Sequence, residues 1–282
     1  MSFWGNYLKE LKKRGVPVYI ISAIFRPDQL FFQWFGAPYR KMLYCFTHLF
    51  VQDNRSKELL EQYGIRNVTV YGDTRFDRVL DVRNQARELP EVERFVGKRS
   101  LTLIAGSSWP QDEEILIPYF NEHPEMKLII APHEIHREHL MYIESLLKRP
   151  AVRLSDVMQD KSLLEGKDCL IVDSFGLLSS IYRYGTIAYI GGGFGAGIHN
   201  TLEAAVYGIP VLFGPRYQKF KEARDLIKVG GGFSVASKDE FMAKMDELLT
   251  YAEVLKAAGE SAGQFVKGNA GATDGILKEL AL

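Results

Sequence analysis

Short apolar runs rich in β-branched residues alternate with helical stretches along the chain, and this alternation restricts the fold more than any other feature. Strand, helical crossover and strand in repetition is the pattern of a parallel sheet wrapped by helices. Strands are expected at residues 16–21, 49–52, 68–71, 101–105, 128–131, 169–172, 187–190 and 211–213. Helices are expected at 28–44, 56–63, 112–120, 135–147, 177–184, 201–207 and 220–229, with 238–259 and 261–282 closing the chain. A first helix, ended by Gly15, sets Trp4, Leu8 and Leu11 on one face and Lys9, Glu10, Lys12, Lys13 and Arg14 on the other. The charged stretch 83–98, broken by Pro90 and Gly97, reads as a linker or linking helix. The chain thus divides into an N-terminal unit (1–82), the linker, and a C-terminal unit (99–282) that includes the closing helices. Both are doubly wound α/β units, the second more complete than the first.

A length of 282 residues suffices for one large or two modest cores. Lys and Arg number 35, as do Asp and Glu. The net charge is therefore zero, and no long-range field draws the chain as a whole to nucleic acid or anionic lipid. Two cysteines, Cys45 and Cys169, cannot staple a chain of this size and suit a reducing compartment. No apolar run approaches the roughly 18 residues of a spanning helix. The start lacks the basic-then-apolar order of a secretion signal.

Chemistry concentrates at four strand-to-helix junctions of the second unit. Five glycines fall between Gly191 and Gly197, after a strand and before a helix. Such a loop lets backbone approach a ligand at the carboxyl edge of a parallel sheet. Asn200 and Glu203 follow it with the spacing of a helix cap, so ligand contact and capping are both open to them. It is not a GxGxxG dinucleotide fingerprint. At the second junction Asp173 or Ser174 could cap a helix, while Gly176, Leu177 and Leu178 would present N–H groups to an anion such as a nucleotide phosphate. The third places Gly106, Ser107 and Ser108 at a strand end before Pro110. The fourth is Pro132-His133. The set His133, His136 and His139 drifts around a helix and does not match H-E-x-x-H, so a metal site is disfavoured and His133 alone is the better ligand contact. Elsewhere, the aromatics of 31–44 with Arg40 and Lys41 are read as core packing rather than as a lipid-facing surface. Arg75, in the hexad Gly72–Asp77, could neutralise a phosphate or pair with Asp73 or Asp77.

Taken in order, these segments resemble the 3-deoxy-D-manno-octulosonic acid (Kdo) transferases of lipid A assembly. The resemblance rests on Phe3-Trp4-Gly5-Asn6 with Leu8, on Gly72–Asp77, Gly106-Ser107-Ser108, Pro132-His133 and Gly176-Leu177-Leu178. Its densest part runs from Gly191-Gly192 through His199-Asn200-Thr201-Leu202-Glu203 to Gly214-Pro215. It implies a GT-B fold of two Rossmann-like units and a CMP-activated Kdo donor. It implies CMP contacts from Gly106, Ser107, Ser108, Pro132, His133, Ser174, Gly176, Leu177, Leu178, Asn200, Thr201, Leu202 and Glu203. Arg75 takes the place of a basic residue that stabilises the transition state. The family usually carries Arg where this chain has His133, Glu where it has Leu177, Lys where it has Arg75 and a further glutamate where it has Ser2.

Family members are longer at the N-terminus, so the chain looks like the donor-binding half plus a remnant of the acceptor half, the N-terminal unit incomplete. The glutamate acting as general base is expected in the missing part, with the segment that meets the membrane. The implied activity is inverting transfer of Kdo from CMP-Kdo to a lipid A precursor in lipopolysaccharide biosynthesis. The implied place is the cytoplasmic face of the bacterial inner membrane, with no metal, no other cofactor and no nucleic acid. The alternatives are another GT-B transferase or epimerase using a UDP-sugar, and a non-catalytic nucleotide-binding module.

Overall fold

The computed structural model describes residues 3–97 and 101–281. Ser2 and the expected boundary at residues 98–99 lie outside the described residues. The chain forms two compact units, Met1–Arg78 with Asn269–Leu282, and Val79–Gly268.

In the first unit, β1 (Tyr19–Ala23), β2 (His48–Val51) and β3 (Val68–Val70) make a parallel sheet in that order. Around it lie α1 (Phe3–Lys13), α2 (Ala37–Leu43), α3 (Asn54–Gln62) and the start of α4 (Thr74–Asn84). Phe25, Phe32, Leu43, Leu49, Val51, Leu60, Ile65 and Val68 form its core. Asp53 caps α3 by accepting from the Ser56 amide at 2.8 Å. The continuous helix expected at 28–44 is corrected: a 3-10 turn at Leu30–Phe32 is followed by a reversal at Gly36, and α2 starts only at Ala37. A Cβ on Gly36 would stand 2.0 Å from the Leu30 carbonyl oxygen, so the chain folds back there on backbone alone. The reversal also splits the aromatics. Phe32 enters the core, while Trp34 is 92% and Phe35 48% exposed, so core packing accounts for only part of that cluster.

The second unit holds seven parallel strands: β4 (Leu101–Ser108), β5 (Met126–Pro132), β6 (Ala151–Arg153), β7 (Cys169–Ile171), β8 (Ile187–Ile190), β9 (Val211–Phe213) and β10 (Gly232–Ser234). Their order is β10-β9-β8-β4-β5-β7-β6. The connecting helices are α5 (Pro90–Val96), α6 (Pro110–Glu122), α7 (Arg137–Leu146), α8 (Leu154–Gln159), α9 (Leu178–Ile181), α10 (Leu202–Ala205), α11 (Lys221–Lys228), α12 (Lys238–Thr250) and α13 (Ala252–Gly268). The inner strands are apolar without alternation because helices bury both faces. Leu103, Leu128, Ile130, Tyr189 and Leu212 pack with Tyr119 and Phe120 of α6 and with Phe241 and Met245 of α12.

The expected domain limits change in two places. The linker at 83–98 contains the end of α4 and all of α5, whose Val92 and Phe95 are buried in the second unit. The last closing helix, α14 (Ala272–Glu279), belongs to the first unit rather than the second. The Asp77 carboxylate accepts from the Gly271 and Thr273 amides and from the Thr273 hydroxyl, fixing the start of that helix. The Tyr71 ring fills the space that a side chain at Gly275 would need.

Candidate functional site

The second sheet runs outward from β4 in both directions, so the carboxyl ends of β4, β5 and β8 flank a switch point of the kind where open α/β sheets bind ligands. Three rings meet there. Trp109, just after β4, stacks on His133 with centroids 4.7 Å apart and planes at 25°. His133 in turn lies 4.5 Å from His199. The Trp109 Nε1–H donates to His199 Nε2 at 3.3 Å. Burial, and then the neighbouring His133, hold His199 below the usual histidine range. The indole N–H can only donate, so Nε2 is the acceptor of the Trp109–His199 pair.

The glycine cluster serves the protein's own packing first. A Cβ on Gly191 would stand 2.1 Å from the Ser107 carbonyl oxygen, and one on Gly193 2.5 Å from the Gly214 Cα. The loop after β8 thus lies directly on the β4 and β9 ends. The third junction is equally packed: a Cβ on Gly106 would meet the Tyr182 hydroxyl at 1.9 Å. Ser108 is buried and its hydroxyl donates to Glu113 at 2.9 Å, which leaves Ser107 as the partly exposed member of the three.

At the second junction the expected cap is corrected. Asp173 accepts from the amide and hydroxyl of Ser155 at the start of α8, and α9 has no side-chain cap. Ser174 and Gly176 are exposed, and Leu177 and Leu178 partly so. Among the described residues, the amides of Gly176, Leu177 and Leu178 make no hydrogen bond. The N-cap position of α10 falls to Thr201, one residue after the expected Asn200, and it makes no side-chain cap bond. Asn200 still reaches the helix start, its Oδ1 accepting from the Leu202 amide at 3.1 Å and its Nδ2 donating to Glu203 at 3.0 Å. Asn200 and Glu203 are both half-buried, whereas Thr201 and Leu202 are buried, with the Thr201 hydroxyl unpartnered.

The three histidines go three ways. His133 is stacked on Trp109, His136 caps α7 by accepting from the His139 amide, and His139 is buried against Glu113 at 2.9 Å. No three metal-ligating side chains converge among the described residues. In the first unit, Arg75 pairs with Asp73 rather than Asp77: Nε donates at 2.9 Å and Nη2 at 2.6 Å to Oδ2. Asp73 also accepts from the Ser22 hydroxyl at 3.2 Å. Sequence reasoning assigns no role to Trp109, Asp112, Glu113 and Ser22, and names His139 and His199 without the contacts they make here. For Asp112 and Glu113 the signal is the acidic trio 112–114 just after Pro110, a pattern shared with any helix start.

Residues 1–78 match the family described as 3-deoxy-D-manno-octulosonic-acid transferase (kdotransferase). A transferase of that name from Aquifex aeolicus is 33% identical over 165 residues, 56% of this chain and 45% of that protein. Others of the same name match over up to 89% of this chain. In sequence the chain is similar to the Kdo transferases. It spans about half the length of the curated relatives it matches. The C-terminal CMP-Kdo binding domain of WaaA from Acinetobacter baumannii superposes with a TM-score of 0.52 at 21% identity, covering 68% of this chain and 97% of that domain. UDP-GlcNAc 2-epimerase from Neisseria meningitidis superposes with a TM-score of 0.69 at 16% identity, over 98% of this chain and 72% of the epimerase. These likenesses show the fold alone, the GT-B fold of Rossmann-like units.

Proposed function

We propose that the chain carries the donor side of a Kdo transferase, one that moves Kdo from CMP-Kdo to a lipid A precursor in lipopolysaccharide biosynthesis. The supporting observation is sequence similarity to Kdo transferases that begins in the first unit and extends over most of the chain. In this reading the CMP phosphate meets the unbonded amides of Gly176, Leu177 and Leu178, since successive free N–H groups attract an anion. Asn200 and Glu203 lie against the ribose or phosphate, and His133 and Ser107 line the same crevice. Arg75 offsets charge that builds on departing CMP, its guanidinium already oriented by Asp73. The reaction inverts the donor carbon by direct attack of an acceptor hydroxyl, which needs a general base. By family resemblance that base comes from the part of the relatives beyond the matched length, as does contact with the cytoplasmic face of the inner membrane. Neither metal nor another cofactor is required.

Isothermal titration with CMP and with UDP tests the donor assignment. CMP binding that survives EDTA and exceeds UDP binding is expected. Preference for UDP would replace the reading with a UDP-sugar transferase or epimerase, and absence of binding to either would overturn the nucleotide site.

A further inference from the structure

We propose that Asp112 and Glu113 are positioning residues for the strand-end crevice, adjacent carboxylates in the first turn of α6 that each fix one of the two loops beside it. The inference rests on reading that crevice as the nucleotide site. Asp112 accepts from the Trp109 amide at 3.0 Å, the Gly192 amide at 2.9 Å and the Tyr189 hydroxyl at 2.8 Å. One carboxylate thus joins the start of α6, the end of β8 and the glycine loop. Glu113 accepts from the Ser108 hydroxyl at 2.9 Å, and its two oxygens stand 3.0 and 2.9 Å from His139 Nε2. His139 Nδ1 donates to the Glu134 carbonyl at 2.8 Å, and the His133 amide donates to the Ser108 carbonyl at 2.9 Å. The second carboxylate therefore holds the loop that leaves β5 at His133 against the end of β4.

Neighbouring residues on a helix point about 100° apart, which is how two consecutive acids reach opposite flanks of one crevice. Both side chains are buried, 1% and 0% exposed, so neither is placed to touch a ligand. Burial raises both above the usual carboxylate range, against the pull of their donors. A helix start needs only the bond from Asp112 to the Trp109 amide. The remaining bonds go beyond a cap: Asp112 reaches Tyr189 at the end of β8 and Gly192 on the glycine loop, and Glu113 reaches Ser108 at the end of β4 and His139 in α7.

Trp109 reports the arrangement, because it stacks on His133 and bonds to His199, one from each loop. With the exposed Trp4 and Trp34 changed to Phe, it is the single tryptophan of the protein. In that background, Asp112→Asn and Glu113→Gln are compared with Tyr189→Phe, which removes a bond on the core side of Asp112 and leaves the Gly192 bond. The first two should shift Trp109 emission and weaken CMP binding at least tenfold, measured well below their melting temperatures. Tyr189→Phe should lower the melting temperature with CMP affinity within twofold. Should Glu113→Gln fail to fold, Ser108→Ala removes one donor to Glu113 and should give a smaller shift in the same direction. Unchanged Trp109 emission in the folded variants, or lowered stability with parental CMP affinity, would overturn the proposal. A parent protein that binds no CMP would instead sink the nucleotide reading, while the emission of Trp109 still decides whether the carboxylates place the loops.

Discussion

Ser22 and Ser107 adopt φ of 53° and 54°, the left-handed region that residues with a Cβ avoid. Each sits where strand register shifts, at the carboxyl end of the first strand of its unit. Such strain persists only where surrounding bonds over-determine it, and it gathers at functional edges of a fold. Serine chemistry gives no warning of this, so neither conformation was legible in the sequence. The Asn200–Glu203 pair was legible because its bonds are local, although the cap position itself falls one residue later, at Thr201. His199 carries a pH consequence. Its folded-state pKa lies below the unfolded value of about 6.5, so the stability it contributes is present above that value and lost as pH falls through the folded one. Urea unfolding between pH 5 and 8 should show the parent losing more stability on acidification than His199→Gln. Equal acid slopes would contradict the assignment.

Among elements, the long buried strands were readable from composition alone, and β8 and β9 fall where the sequence put them. The edge strands β6 and β10 were not read, because Ala-Val-Arg and Gly-Phe-Ser are not the continuous apolar runs that mark β7 and β9. Helix α14 shows a different limit. Its pattern announces a helix, but amphipathicity does not say which sheet receives the apolar face. The answer lies in Asp77, nearly two hundred residues earlier. Asp77→Ala removes the cap and should cost about 1–2 kcal/mol in the first unit. Hydrogen exchange should then quicken at the amides of α14 while those of β4 and β5 keep their protection. Uniform quickening across both units would mean the cap acts on more than its own helix.

For the whole molecule, the arithmetic of length permitted two units, and two are present, with the second sheet more than twice as wide as the first. What the count could not convey is the allocation of the termini: both ends of the chain lie in the narrower unit. That unit has a further consequence in β1, which pairs only with β2 among the described residues. Tyr19 and Ile21 on this strand are 40% and 55% exposed, without the charge or proline that usually blunts an open edge. An unpaired row of amides and carbonyls with greasy side chains is a template for another strand. Purified on its own, the chain should sediment as a concentration-dependent mixture of species, and Ile21→Lys should return it to a single slow boundary. Colloidal behaviour in the tube would thus be decided by one five-residue strand, far in sequence from any residue expected to meet the nucleotide.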